Sequence, residues 1–259
     1  MRDYDESNVN RRYFLWYVEQ VAAPGACVLD FGCGSGTVVR MLRKAGYDGY
    51  GVDIEWPGAD YGDFAEKEFP EGTLRYYDEG GTLPFEDSMF DVIVSDQVFE
   101  HVVPMEKTVR ELERVLKPGG VMYHHFPSRT VLREGHIGIP LAHRLPAGGL
   151  RLLYASTLRR LGVGNSASDG TDAPEPVEWA RRNLRWVDDW TVYRPLGEIE
   201  AILGEVGAVR HREIDYCRFR AEGSWLGWLL SRARLRGPAV WAFRRLGFEA
   251  FEVRAPAGR

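Results

Sequence analysis

Ala26-Cys27-Val28-Leu29-Asp30-Phe31-Gly32-Cys33-Gly34-Ser35-Gly36 is the stretch on which the rest of the chain is organised. A short apolar, β-forming run (26–31) breaks into a tight glycine turn. A helical pattern with Val38, Val39, Met41 and Leu42 on one side follows directly. Strand, glycine loop and helix in that order open a doubly wound α/β domain. Spacing then separates the ligand classes. A dinucleotide loop wants G-x-G-x-x-G, but these glycines run G-x-G-x-G and Thr37 stands at the dinucleotide position. A phosphate loop wants Gly-Lys-Ser/Thr, and no lysine follows Gly36. Asp30, just before the loop, would repel a pyrophosphate and suits a ligand carrying positive charge.

The segment Asp30 to Gly36 resembles motif I of the class I S-adenosylmethionine-dependent methyltransferases. It is closest to the small-molecule branch that includes the ubiquinone and menaquinone biosynthesis type. S-adenosylmethionine carries a sulfonium and a free α-amino group, which fits both the glycine spacing and Asp30. Further matches extend the resemblance over about residues 26–126. Tyr50-Gly51-Val52-Asp53-Ile54 reads as a second buried strand ending in an acid, 21 residues after Gly32, where a carboxylate can accept from ribose hydroxyls. Thr73 to Tyr77 reads as a third strand. The Asp78-Glu79 pair and Leu83-Pro84-Phe85 behind it resemble the family's acid near the adenine amino group. The spacing runs one residue long, so both acids stay candidates.

Phe90 to Asp96 is the expected fourth strand, and Gln97-Val98-Phe99-Glu100-His101-Val102 resembles the segment passing beneath the methionine end of the cofactor. That resemblance puts Asp96, Gln97 and His101 near the transferring methyl. An amphipathic helix, Met105 to Leu116, stops at Lys117-Pro118-Gly119-Gly120, and Val121 to Phe126 makes a fifth strand. The cofactor set implied is Asp30, Gly32, Cys33, Gly34, Gly36, Asp53, Ile54, Asp78, Glu79, Asp96 and Gln97. His101 is the candidate general base for a hydroxyl acceptor, with His124, His125 and His136 as rivals.

The expected organisation has four parts. Residues 1–25 form a helical cap with Tyr13 on its acceptor side; 26–126 form the cofactor-binding core; 127–195 are a helical insertion after strand five. Residues 196–259 complete the core and carry a basic aromatic insertion at 221–245. Pro195 to Gly207 reads as a helix, Ala208 to Phe219 as strand six, and Phe248 to Val253 as a final, antiparallel edge strand. The fold expected is therefore a doubly wound, Rossmann-like α/β sheet of seven strands with a helical insertion.

Composition bounds the partners. The chain has 259 residues, 44% hydrophobic and 27% charged, ordinary for a globular protein. Its net charge of −5 is uneven. Residues 1–126 hold 12 basic and 23 acidic side chains; residues 127–259 hold 21 and 15, and all 21 of those bases are arginine. Arginine binds carboxylates and phosphates bidentately. The acceptor is accordingly expected to be a small molecule, anionic or lipid- or phosphate-linked (a sugar, glycan precursor or natural product), methylated on oxygen and meeting Tyr13, His124, Arg129, Arg133, His136 and Arg144. Trp225-Leu226-Gly227-Trp228 and the arginines up to Arg245 have the composition of a helix at a membrane surface, giving an expected peripheral contact through 225–245. The polar start, Met1-Arg2-Asp3-Tyr4-Asp5-Glu6, shows no leader pattern. Cys27, Cys33 and Cys217 have no metal spacing, and no metal is expected. Both features point to a cytoplasmic protein, peripheral at most to the inner membrane face. No Asn/Asp-Pro-Pro-aromatic motif is present, which disfavours DNA. The rival readings are a tRNA or protein methyltransferase and a protein that binds the cofactor without transferring methyl.

Overall fold

Val28, Leu29 and Phe31 on the first strand are all buried although they point to opposite faces, the mark of a sheet covered on both sides. A computed structural model describes residues 7–54, 69–165, 175–222 and 233–258. The chain runs α1 (Val9–Val21), β1 (Cys27–Phe31), α2 (Thr37–Lys44), β2 (Asp48–Asp53), β3 (Leu74–Tyr76), β4 (Phe90–Asp96), α3 (Met105–Val115) and β5 (Leu116–Phe126). It continues with α4 (Gly149–Arg160), α5 (Pro176–Trp190), α6 (Leu196–Gly204), β6 (Ala208–His211), α7 (Glu213–Arg220), α8 (Ala233–Leu246) and β7 (Glu249–Arg254). The seven strands form one sheet in the order β3-β2-β1-β4-β5-β7-β6. β1 to β5 pair in parallel, while β7 runs antiparallel to both β5 and β6. The seven-stranded sheet with an antiparallel last strand is as the sequence implied.

One face packs Leu29, Ile93 and Met122 against α3 and α6 through Val109, Leu112, Ile202 and Leu203. The other packs Val28, Val92, Val94 and Tyr123 against α1 and α2 through Phe14, Val18, Val38 and Leu42. The strand order reverses between β1 and β4, so the crevice at their carboxyl ends is where an open α/β sheet takes its ligand.

The structure places β7 inside the sheet between β5 and β6, so β6 rather than the final strand is the edge, and it corrects two further expectations. Strand six ends at His211, and Glu213 to Arg220 is helix α7 rather than a continuation. Glu213 and Tyr216 are its buried residues, three apart as on a helix face. The Glu213 carboxylate accepts from Arg244 Nε at 2.7 Å and from Ala250 N at 3.4 Å, which turns the chain back onto β7. The second correction is at β5, which starts at Leu116 paired with Phe90, so the Pro-Gly-Gly stop interrupts the ladder as a register shift.

The insertion carries its own apolar cluster of Ile137, Ile139, Ala155, Trp179, Leu184 and Val187. Arg151 is buried on α4 and bonds Asp188 of α5 at 2.6 Å. Most of 166–176 and the Trp225-to-Arg232 stretch lie outside the described residues. Among those described, no helix is long and apolar enough to cross a membrane.

Gly207, just before β6, gives a local test. A Cβ there would sit 2.0 Å from the Arg254 carbonyl oxygen, a backbone atom that cannot rotate away. Gly207→Ala is expected to cost about 1–3 kcal/mol in denaturant unfolding, with cofactor affinity unchanged because the β6–β7 edge is remote from the crevice. A wild-type unfolding midpoint would show that the edge gives way easily.

Candidate active site

The crevice at the carboxyl ends of β1, β2 and β4 holds a cavity of about 380 Å³. Phe31, Gly32, Gly34, Asp53, Ile54, Tyr77 and Glu79 line one part, and Asp96, Gln97, Val98, His101, Val102, His136 and Trp186 line the other. The glycine loop folds as its spacing implies. Gly32 has φ +77° and Gly36 φ +75°, left-handed values that an L side chain rarely adopts. A Cβ on Gly34 would meet nothing within 4 Å, so the loop lies open towards a ligand.

Asp53 ends β2 with its carboxylate fixed by the backbone. One oxygen accepts from Gly34 N at 2.6 Å and the other from Ile54 N at 2.8 Å. Burial raises its pKa and those two bonds partly offset the rise. Asp30 is buried beside the cavity rather than in its wall. Burial, then the charges of Asp53 and Asp96, push it up to about 8. Asp96 is pushed up to about 6 by burial, against a hydrogen bond from Asn10. The Asn10 amide reaches both Asp96 oxygens, at 3.4 and 3.2 Å, and is itself held by the Tyr216 hydroxyl at 2.6 Å. Three carboxyls this close, each disfavoured as an anion, make a site that gains by receiving positive charge. A sulfonium with an α-amino group fits that demand.

Of the two candidate acids after β3, Glu79 lines the cavity and accepts from Val103 N at 3.0 Å, while Asp78 is exposed and outside the lining. Cys33 and Gly36 shape the loop without lining the cavity. Burial drives the Cys33 thiol well up, so it is no nucleophile.

Comparison with known proteins agrees with this geometry. A model described as a methyltransferase domain matches residues 29–124. A 2-phytyl-1,4-naphtoquinone methyltransferase of Nostoc punctiforme is 32% identical over 178 residues, covering 62% of this chain and 72% of that protein. The chain belongs to the S-adenosylmethionine-dependent methyltransferases. A sterol 24-C-methyltransferase of Gibberella zeae is 36% identical over 101 residues, 38% of this chain and 27% of that one. The solved S-adenosylmethionine-dependent methyltransferase of Mesorhizobium loti superposes with a TM-score of 0.53 at 14% identity, over 95% of this chain and all of that one. That likeness carries the fold. The methyl donor of this methyltransferase is S-adenosylmethionine.

The acceptor-side residues divide. His101 and His136 come together in the cavity with ring centroids 5.1 Å apart, and Trp186 lies 6.1 and 4.9 Å from them. Burial lowers the His101 pKa, so the ring is neutral at pH 7. His101 Nδ1 is 2.7 Å from the Trp190 carbonyl oxygen, and His136 Nδ1 is 2.7 Å from Glu134 Oε1. Burial favours protonating Glu134, but hydrogen bonds from His136, Tyr193 and Ile137 N outweigh it and bring its pKa to about 2.

Five other expected contacts lie elsewhere. Tyr13 is fully buried between α1 and the sheet, stacked on His125 at 5.5 Å and bonded by Tyr123. The leading helix covers the sheet; its Asn10 bonds Asp96, and the Arg11 charge acts on Asp96 and Asp30. His124 is also fully buried, with Nδ1 2.8 Å from Ser95 Oγ, and burial depresses its pKa to about 3. Arg133 is spent on Gly138 O at 3.1 Å and Asn165 Oδ1 at 3.3 Å. Arg144 caps the carbonyls of Thr130 and Val131 and joins Arg129, Arg245 and Leu196 in a separate depression of about 340 Å³.

Three residues of the site were not singled out from sequence: Asn10, Trp186 and Arg194. Buried Arg194 donates to the carbonyls of Phe99 (3.3 Å), Val102 (2.8 Å) and Val103 (2.7 Å) and so braces the turn that carries His101. The acidic first half and the 127–195 insertion meet at this turn.

Proposed function

We propose that the protein moves a methyl group from S-adenosylmethionine to an oxygen of a small acceptor, with Asp30, Asp53, Glu79, Asp96 and Gln97 holding the cofactor and His101 taking the acceptor's proton. The observation that carries this is one cavity lined at one end by Gly34 and Asp53 and at the other by His101, His136 and Trp186. A bound sulfonium supplies an already activated methyl group, so the chain's task is alignment. Holding acceptor and donor in line contributes roughly 7–11 kcal/mol of barrier lowering. A carbonyl oxygen only accepts, so His101 Nδ1 donates to Trp190 O and Nε2 keeps its lone pair. A neutral ring whose tautomer is fixed in this way is suited to removing a hydroxyl proton at neutral pH.

Val98, Val102 and Trp186 around the two imidazoles favour an acceptor with a flat, apolar ring bearing the hydroxyl, the quinol class being the nearest chemistry. The Nostoc relative, named for a phytyl-naphtoquinone, supports that class. An anionic tail on the acceptor would meet Arg129, Arg144 and Arg245 in the second depression. Trp241 on α8 is 62% exposed with Arg245 over its ring at 5.4 Å, which supports contact with an anionic lipid surface through the described part of 225–245.

The test compares His101→Gln with wild type in two measurements. Calorimetric titration with S-adenosylhomocysteine is expected to give micromolar binding, the same within about threefold in both proteins. Methyl transfer to a panel of hydroquinones is expected to give an O-methyl product in wild type and to fall by about 10²–10⁴ in the variant. Equal rates in the two proteins would remove His101 from the chemistry. No S-adenosylhomocysteine binding by folded wild type would remove the reading of the cavity.

A further inference from the structure

Glu100, His101 and His136 each bring one donor atom within 4.8 Å of the others. Two of the three already line the acceptor end of the cavity. The third is the anomaly. Glu100 is 1% exposed, and both of its carboxylate oxygens are buried without a hydrogen-bond partner. A buried carboxyl in that state costs several kcal/mol whether or not it is ionised. The acids around it do not relieve it, because the nearby charges acting on it, Asp96 and Glu134, are negative too. Among the described residues no lysine or arginine forms an ion pair with it.

The two imidazoles are oriented as metal ligands are. His136 Nδ1 faces the ionised Glu134 carboxylate and His101 Nδ1 faces the Trp190 carbonyl, both at 2.7 Å. Each acceptor takes the Nδ1 proton, which leaves the lone pair on Nε2. A carboxylate or carbonyl behind the far nitrogen is the usual support of a ligating histidine. The Tyr193 hydroxyl donates to the same Glu134 oxygen at 2.5 Å and fixes that support in turn.

We propose that Glu100, His101 and His136 form a binding site for one divalent first-row metal ion at the acceptor end of the cavity. Two imidazoles and one carboxylate suit zinc, manganese, iron, cobalt or nickel, and leave coordination positions open. Bonds of about 2.1 Å hold donors up to roughly 4.2 Å apart, so a small rotation of the side chains closes the set. The proposal rests on the methyl-transfer reading for its role. An acceptor hydroxyl on the ion loses its proton to water at the cavity mouth at a lower pH than it would unaided. The oxygen–methyl bond then forms as the sulfur–methyl bond breaks, with that bond's electron pair leaving on sulfur. His101 Nε2 serves as ligand in this state, and the ion replaces it as the means of activating the hydroxyl.

The experiment uses tag-free full-length protein stripped with a chelator, then titrated with Co(II) and followed by visible absorption and by bound metal per chain. The expected result is one ion per chain at micromolar affinity, displaced by Zn(II). His136→Ala and the near-isosteric Glu100→Gln are each expected to weaken it at least tenfold while melting cooperatively. S-adenosylhomocysteine affinity should stay within about twofold with and without metal. Absence of stoichiometric Co(II), Zn(II) or Mn(II) uptake by wild type, or wild-type affinity in both variants, overturns the site. Metal uptake without any S-adenosylhomocysteine binding would keep the site and overturn the cofactor reading instead.

Discussion

Replacing Asp30 with asparagine is expected to stabilise the unliganded protein at pH 8 and to weaken S-adenosylmethionine binding at least tenfold. Both follow from one displaced titration. The folded carboxyl has its pKa at about 8, against an ordinary 3.8, chiefly through burial and then through Asp53 and Asp96. Between those two values the folded chain keeps a proton that the unfolded chain has lost. Stability therefore falls as pH rises through the window, with a limiting slope of roughly 1.4 kcal/mol per pH unit from this group. Asparagine has no proton to lose. Its melting temperature should match wild type near pH 4 and exceed it at pH 8.

The same group accounts for the affinity. A cation arriving beside Asp30 pulls its pKa down, so binding near pH 7 should release protons from wild type. Calorimetry in two buffers of different ionisation enthalpy counts them. Asp30→Asn should release fewer and bind more weakly. Equal affinity together with parallel melting curves at pH 4 and 8 would show that the charge of Asp30 serves neither purpose.

Gly32→Ala should be the most damaging single change in the loop. Its φ of +77° already disfavours an L residue by about 1–2 kcal/mol. The new Cβ would lie 2.3 Å from Val98 Cγ2 and 2.9 Å from Cγ1, and a β-branched side chain has little rotamer freedom with which to withdraw. Overpacking adds about 1–3 kcal/mol. Because Val98 also lines the cavity, relief by movement would push the wall into the cofactor's space. Loss of detectable S-adenosylhomocysteine binding is expected, with lowered stability. Adding Val98→Ala removes the clash and should restore part of the stability. Wild-type affinity in Gly32→Ala alone would mean the loop does not approach the ligand.

How far the sequence could be read follows from the range of each interaction. The loop, Asp53 and the parallel strands are encoded locally, in glycines at fixed offsets and in apolar runs, and all were legible. Strand six was misjudged because Ile214, Tyr216 and Phe219 read as apolar residues on an extended strand. The deciding partner of Glu213 is Arg244, 31 residues away. The arginines of the insertion were read as substrate contacts because composition shows charge without its partners. Arg151 and Arg133 are consumed by Asp188 and by Gly138 and Asn165. The meeting of Glu100 with His136 had no local signal, since only the folding of 127–195 over the β4 turn joins them. The absence of a cysteine spacing spoke to sulfur sites alone.

The seam between the insertion and the β4 turn has a consequence for how such enzymes diversify. Val192 N donates to Glu100 O at 2.6 Å, and Trp190 meets His101 through its carbonyl. On the insertion side these two attachments use peptide groups, which every residue type carries, and the side chains of Arg194, His136 and Trp186 add to them. Behind the seam the insertion keeps a separate apolar cluster. Most of its sequence can therefore drift, and with it the chemistry presented to an acceptor, while the joint to the methyl-donor half survives unchanged. A transplanted insertion from a distant relative would need to bring that arginine, the rings that meet His101 and a matching backbone path.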